Sequence, residues 1–225
     1  MLLKGIGMIA ADTSRTIYYL DGLIKERMFP EFVLVLINKD EQLLPGQENS
    51  KSENKLIGLL EFNNIPYKIS EDKNINSNEV VQLIGSRHES IFIFSGFGGV
   101  LLREDILSTG KKFLHIHGGY LPDFKGSTTN YFSLIHENTI GASSIFLTKD
   151  IDCGPVLLRK KFSPPQDRTE IDHISDSEAR VNVLIETLKK YINDGMFSFE
   201  LERNTGGETY YIIHPVLKHI AILGK

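Results

Sequence analysis

The sequence contains very little cysteine, with Cys153 standing alone among 225 residues. A single cysteine cannot form an internal disulfide, which excludes a small secreted scaffold held together by disulfides. The first residues, MLLKGIGMIAADTSRT, also lack the basic and then apolar pattern of a secretory leader, because glycine and aspartate interrupt them early. These features favour a cytoplasmic protein.

An excess of positive charge is missing as well. The chain has 25 lysines and arginines against 29 aspartates and glutamates, a formal net charge of −4. This balance offers no broad positive field to a phosphate backbone, so we expect no nucleic-acid partner. The longest apolar run, SIFIFSGFGGVLL, is too short and too rich in glycine to span a bilayer, so we expect no membrane association.

Apolar runs alternate with segments of helical period along most of the chain, which is typical of a parallel sheet covered by helices. A pair of strands joined by an acidic turn, at residues 149–154, has antiparallel character. We therefore predict an α/β, Rossmann-like fold, with a mostly parallel sheet and helices on both faces. The principal predicted strands are LKGIGMIAA, EFVLVLINK, SIFIFS, KFLHIH and the two within GASSIFLTKDIDCGPVLLRKKF.

The sequence pattern of the chain changes after residue 162. Residues 1–162 carry the strand and helix alternation and are predicted to form the catalytic core. Residues 163–225 begin with a polar, proline-bearing connection and continue as an amphipathic helix that Gly195 can close. A hairpin turning at Gly206-Gly207 is predicted to follow, so that this part forms a small extension packed on the core.

Two histidines lie at the end of the predicted strand KFLHIH. Because chemistry in parallel sheets collects at the carboxyl ends of strands, and residues two apart share a face, His115 and His117 can reach one site. Asp152 lies in the acidic turn and is a candidate partner. Spacing alone leaves other readings open: one histidine packs, Asp152 is a solvated turn residue, or the three side chains bind a metal ion.

The run from Ser95 to Phe162 resembles the catalytic core of the folate-dependent formyltransferases, which include glycinamide ribonucleotide, methionyl-tRNA and sugar N-formyltransferases. That family has an Asn-X-His at a strand end, then Leu-Pro, a glycine and an Asp-X-Gly-Pro-like turn. One departure is His115, which stands where the family has asparagine. The matching residues here are His115-Ile116-His117, Leu121-Pro122, Gly126 and Asp152-Cys153-Gly154-Pro155.

The resemblance implies transfer of a formyl group from 10-formyltetrahydrofolate to an amine, without a metal. His117 would lie beside the formyl oxygen and move a proton, Asp152 would hold His117, and His115 would donate a hydrogen bond in place of asparagine. A glycine-rich loop and one further glycine would border the folate, although core packing is an equal alternative for Leu102. The predicted folate-binding residues are Phe97, Gly98, Gly99, Val100, Leu102 and Gly126.

The acceptor is predicted from a closer resemblance to sugar N-formyltransferases of the pseudaminic-acid type, carried by Gly118-Gly119-Tyr120 and the tail YYIIHPVLKH. It implies a nucleotide-linked amino sugar, such as a UDP- or dTDP-4-amino-dideoxy sugar for bacterial surface glycans, and a homodimer. A formyltetrahydrofolate hydrolase and a noncatalytic folate-binding homologue remain alternatives. The predicted substrate-binding residues are Tyr120, Lys125, Thr128, Thr129 and Asn130.

Overall fold

The computed structural model describes residues 1–37, 55–200 and 204–224. The chain forms two compact units, residues 1–113 and 114–225. The division predicted after residue 162 falls inside the second unit. Among the described helices, none combines the length and apolar character needed to cross a membrane.

The first unit alternates strands and helices, as predicted. Strand β2 (Ile6–Ala11) pairs in parallel with β4 (Val33–Leu36) and β6 (Ile91–Ser95), and β4 pairs in parallel with β5 (Tyr67–Ile69). The last two residues of the strand predicted as EFVLVLINK lie outside the described residues. The elements are β1 (Leu2–Leu3), β2 (Ile6–Ala11), α1 (Ser14–Lys25), β3 (Phe29–Pro30), β4 (Val33–Leu36), α2 (Lys55–Phe62), β5 (Tyr67–Ile69), α3 (Asn78–Ser86), β6 (Ile91–Ser95) and α4 (Glu104–Leu107).

The local sequence explains these elements. Every residue of β2 and of β4 is buried, which is why both are continuous apolar runs without alternation. Helix α1 begins after Thr13, whose hydroxyl accepts a hydrogen bond from the backbone N–H of Thr16 over 3.3 Å. The predicted α/β fold with a mostly parallel sheet is confirmed.

The second unit contains antiparallel strands. Strand β7 (Lys112–His117) begins at the end of the first unit. Strand β9 (Ile140–Phe146) pairs antiparallel with both β7 and β10 (Val156–Phe162), which confirms the predicted antiparallel pair. Helix α6 (Asp176–Asp194) packs on β9 and β10 and is capped by Gly195, whose φ is 72°. The further elements are β8 (Phe124–Gly126), α5 (Thr129–Glu137), β9 (Ile140–Phe146), β10 (Val156–Phe162), a 3₁₀ turn (Arg168–Glu170), a π turn (Ile171–Ser175), α6 (Asp176–Asp194), β11 (Glu208–Tyr210) and α7 (Pro215–Leu223).

The tail pairs differently from the sequence prediction. No hairpin across Gly206-Gly207 is found in the described part of the tail. Strand β11 pairs instead in parallel with β8, with Tyr210 opposite Gly126. Gly207 has a φ of 71°, and a Cβ there would collide with the carbonyl group of Pro122. The glycine therefore permits a close approach to a distant loop and does not form a hairpin turn.

Candidate functional site

His115 and His117 occupy the carboxyl end of β7. His117 is buried, with 4% of its surface exposed, whereas His115 is half-buried. Directly after them the chain turns through Gly118 and Gly119. A Cβ on Gly119 would lie 2.7 Å from Nε2 of His117 and 2.6 Å from the carbonyl oxygen of Phe124. The loop can therefore fold closely over the imidazole only because glycine stands at this position.

Asp152 lies in the turn between β9 and β10 and is also buried, at 8% exposure. Its φ of 51° is in the left-handed region, which aspartate tolerates better than most residues. The backbone N–H of Gly126 donates a hydrogen bond to Oδ2 of Asp152 over 2.8 Å. The carboxylate is therefore held by β8, and its oxygen is turned toward the end of β7.

His117 and Asp152 form a buried pair, with Nδ1 of His117 lying 3.3 Å from Oδ2 of Asp152. The other ring nitrogen, Nε2, lies 2.7 Å from the carbonyl oxygen of Phe124. A carbonyl oxygen only accepts hydrogen bonds, so Nε2 carries the hydrogen. In the neutral ring, the lone pair that can take up a proton is therefore on Nδ1, facing Asp152.

Burial lowers the pKa of the His117 imidazole below its usual value. The negative charge of Asp152 acts against this effect, whereas the positive charge of Arg180 lowers the pKa further. The net direction is downward, so the ring is neutral near pH 7 and is able to accept a proton. His115 lies near the pair: one of its nitrogens, one nitrogen of His117 and one carboxylate oxygen of Asp152 are all within 4.8 Å of one another.

A polar network that sequence reasoning missed holds the backbone between the two histidines. Arg180, on α6, donates from Nη1 to the carbonyl oxygen of Ile116 over 2.5 Å and from Nε to Oδ2 of Asp176 over 2.6 Å. Asn130 donates to Oδ1 of Asp176 over 2.8 Å. The i, i+4 spacing of Asp176 and Arg180 is visible in the sequence, but it does not indicate that this pair faces β7.

The predicted substrate-binding residues differ in their accessibility. Tyr120 and Thr128 are half-buried, whereas Lys125, Thr129 and Asn130 are buried. Lys125 donates from Nζ to the carbonyl oxygen of Gly206 over 2.6 Å, and the hydroxyl of Thr129 donates to the carbonyl oxygen of Gly118. Thr129 therefore holds the loop that follows His117, and Lys125 joins β8 to the segment around Gly206. A role of these residues in substrate binding stays a prediction.

The predicted folate-binding loop follows β6 in the first unit. Phe97 is half-buried, Leu102 is buried, and Gly98, Gly99 and Val100 are exposed. Asn76, which sequence reasoning missed, closes the end of this loop. It donates from Nδ2 to the carbonyl oxygen of Leu101 over 2.9 Å and accepts from the N–H of Arg103 over 2.8 Å.

Gly126 was also predicted to border the folate, and its position is in the second unit. Its φ is 94°, and a Cβ there would collide with the carbonyl oxygen of Tyr210 on β11. Its N–H is the group that holds Asp152. The glycine thus supports the pair of His117 and Asp152 directly, whereas contact with folate stays a prediction.

Comparison with known proteins identifies a family that this chain matches. The family model described as formyl transferase matches residues 4–187. The chain is 26% identical over 126 residues to a methionyl-tRNA formyltransferase of Desulforamulus reducens, covering 54% of this chain and 40% of that protein. It is 25% identical over 132 residues to a formyltetrahydrofolate deformylase of Bacillus subtilis, covering 56% of this chain and 41% of that protein.

A solved structure of a sugar N-formyltransferase from Shewanella sp. FDAARGOS_354 is similar in fold, with a TM-score of 0.60 at 14% identity. The similarity covers 97% of this chain and 86% of that chain. The chain spans about half the length of the curated relatives that it matches. Because the family match extends over most of the sequence, from residue 4 to residue 187, the chain belongs to the formyl transferase family.

Proposed function

We propose that the protein transfers a formyl group from 10-formyltetrahydrofolate to the amine of a nucleotide-linked amino sugar. The observation that carries this proposal is the buried pair of His117 and Asp152 at the end of β7, in a chain that belongs to the formyl transferase family. Such a pair can move protons where water is largely excluded. Formyl transfer between two nitrogens requires that ability.

The reaction forms a bond between the acceptor nitrogen and the formyl carbon and breaks the bond from that carbon to N10 of the folate. The attacking amine loses a proton, and N10 gains one as it leaves. Nδ1 of His117 takes up the first proton, either directly or through a water molecule, and returns it to the leaving nitrogen. Asp152 stabilises the imidazolium during this interval.

The tetrahedral intermediate carries negative charge on the formyl oxygen. A positioned donor stabilises such an oxyanion most when it is fixed in place before the reaction. We assign this role to His115, because its ring lies beside the pair and an imidazole N–H can donate as an amide N–H does. Arg180 and Asp176 contribute by fixing the backbone at Ile116, between the two histidines.

An amino sugar is the acceptor that the observations favour. The sugar N-formyltransferase of Shewanella is similar in fold over 97% of this chain, which supports an amino sugar as the acceptor. The net charge of −4 also disfavours a tRNA acceptor. Among the predicted substrate residues, Tyr120 and Thr128 are the best candidates for direct contact, since both are partly accessible.

We further propose that the enzyme is a cytoplasmic homodimer that uses its tail. Helix α7 exposes several large apolar side chains, with Val216 at 59%, Ile220 at 51% and Leu223 at 66% exposure. Contiguous exposed apolar surface of this kind is typical of an interaction site. The oligomeric state of the purified protein, measured by light scattering, tests this part on its own.

A second candidate function is hydrolysis of 10-formyltetrahydrofolate. The observation in its favour is the similarity to the deformylase of Bacillus subtilis. In this case the same His117 and Asp152 would activate water in place of an amine, and formate would be released. A noncatalytic homologue that only binds folate is the third candidate, because His115 departs from the asparagine of the family signature.

The experiment that tests these alternatives is mass spectrometry after incubation with 10-formyltetrahydrofolate and a panel of UDP- and dTDP-linked amino sugars. We expect one sugar to gain the mass of CO and the His117→Ala variant to lose this product. His173→Ala, which changes an exposed histidine of the same unit, should retain it. Formate release without a sugar product would favour the hydrolase, and intact folate under every condition would contradict both enzymatic proposals.

A further inference from the structure

We propose that His115, His117 and Asp152 also form a binding site for a divalent transition metal ion, of which Zn²⁺ is the best match, and that the bound ion suppresses formyl transfer. The three side chains offer two imidazole nitrogens and a carboxylate oxygen within 4.8 Å of one another. Nitrogen and oxygen ligands of this kind, three from the protein, are typical of zinc sites that keep one position open.

The distance within the His117 and Asp152 pair favours an ion. A charge-assisted hydrogen bond between a nitrogen and a carboxylate oxygen is about 2.7–2.9 Å long. Nδ1 of His117 and Oδ2 of Asp152 are 3.3 Å apart, which is longer. Two ligands of one tetrahedral zinc ion, each about 2.0–2.1 Å from the metal, lie about 3.3–3.4 Å apart. The pair therefore has a spacing that two ligands of one zinc ion also have.

The outer hydrogen bonds of these ligands fit the same interpretation. A histidine that binds a metal through one nitrogen usually donates its other N–H to a carbonyl or a carboxylate, and a ligating carboxylate is itself hydrogen-bonded. Here Nε2 of His117 donates to the carbonyl oxygen of Phe124, which leaves Nδ1 for the metal. Asp152 accepts from the N–H of Gly126. Two of the three ligands, His117 and Asp152, are thus oriented before an ion binds.

A second cluster, formed by Glu31, His88 and Glu89, has ligand atoms as close together among the described residues. It is a poorer site because Arg87 donates to both carboxylate oxygens of Glu89, over 2.9 and 2.5 Å. A guanidinium group already supplies the positive charge there. An additional cation would have to displace it, so we expect the ion at His115, His117 and Asp152.

The predicted consequence for catalysis rests on the proposed function. A metal ion on Nδ1 of His117 occupies the lone pair that the proposed reaction uses to accept a proton. It also neutralises the carboxylate that stabilises the imidazolium. Zn²⁺ should therefore compete with proton transfer, whatever the acceptor is. Binding of the metal, by contrast, is measurable without any turnover, so the two proposals fail separately.

Isothermal titration of metal-free protein with Zn²⁺ tests the site, together with the visible absorption of bound Co²⁺. We expect one tetrahedral ion per chain. His115→Asn removes a metal ligand but keeps a hydrogen-bond donor. It should weaken Zn²⁺ binding by about a hundredfold or more, because loss of a group that only hydrogen-bonds to a ligand already lowers metal affinity about tenfold to a hundredfold. Asp152→Asn should weaken it similarly. The control, His88→Asn, should leave it unchanged.

The proposed site would be overturned if the unmodified protein did not bind Zn²⁺, or if the His115→Asn and Asp152→Asn variants bound it as tightly as the unmodified protein. Loss of binding in His88→Asn would also overturn it. Circular dichroism of each variant separates a lost ligand from a lost fold. In the activity assay, Zn²⁺ at saturating concentration should abolish formyl transfer by the unmodified protein, and a chelator should restore it. Unchanged or increased transfer at saturating Zn²⁺ would overturn the suppression.

Discussion

The side-chain amide of Asn204 donates hydrogen bonds to two backbone carbonyls of the turn between β9 and β10, those of Asp152, over 2.6 Å, and Gly154, over 2.9 Å. The turn needs such support, because Asp152 adopts a left-handed backbone conformation with a φ of 51°. For residues other than glycine this conformation costs free energy and persists where neighbours fix it. Asn204 thus helps to hold the turn from which the Asp152 carboxylate faces His117.

Asn204→Ala should destabilise the protein by about 1–3 kcal/mol, since two hydrogen bonds worth about 0.5–1.5 kcal/mol each are lost. It should also lower formyl transfer, because the turn that carries Asp152 is then held less firmly. Chemical denaturation measures the first effect and a turnover assay the second. Asn182→Ala is the matched control, since it removes an exposed hydrogen bond to Lys160 on another surface. Equal effects of the two variants would contradict the role of Asn204.

Asp152→Asn should lower kcat by about a hundredfold to ten-thousandfold, which is the usual contribution of a positioned proton-transfer group. The amide keeps the shape of the side chain but cannot stabilise the imidazolium of His117. Asp150→Asn, in the same turn but exposed, should keep nearly full activity. Similar rates for the two variants, measured with the same acceptor, would show that the charge of Asp152 is not used.

Much of the fold, and the proximity of His117 and Asp152, could be predicted from the sequence. Continuous apolar runs marked the buried parallel strands. Lys125 was predicted to meet substrate because it follows the two histidines closely in the sequence, but its side chain is buried. Its burial depends on the carbonyl of Gly206, a residue 81 positions away. The pairing of β11 with β8 is similarly nonlocal, and three residues carry too little pattern to predict it.

Gly119→Ala should reduce activity and stability together. The new Cβ would lie 2.6–2.7 Å from the carbonyl oxygen of Phe124 and from Nε2 of His117, so it would disturb the hydrogen bond that fixes the imidazole. Overpacking of this kind costs about 1–3 kcal/mol. Denaturation and turnover assays on the same variant measure both effects.

The control is Gly58→Ala, in the exposed part of α2, where a Cβ has nothing within 4 Å. This substitution should stabilise the protein by about 0.5–1 kcal/mol, because alanine is more stable than glycine in the interior of a helix. A Gly119→Ala variant as stable and active as Gly58→Ala would mean that the loop over His117 relaxes freely.

The stability of the first unit should depend on pH through Glu89, a buried residue. Burial alone raises the pKa of its carboxyl group, but the hydrogen bonds and the charge of Arg87 more than reverse this, so the pKa lies below its usual value of 4.5. A group with a lowered pKa in the folded state contributes stability above its unfolded pKa, and the contribution is lost as the pH falls through the folded value.

Glu89→Gln should therefore be less stable than the unmodified protein at pH 7, and the difference in the free energy of unfolding should shrink progressively below about pH 4.5. Urea denaturation between pH 7 and pH 3 measures this difference directly. Glu71→Gln, at an exposed position, should show only a small difference at any pH. A difference for Glu89→Gln that stays constant across the range would mean that its ionisation does not stabilise the fold.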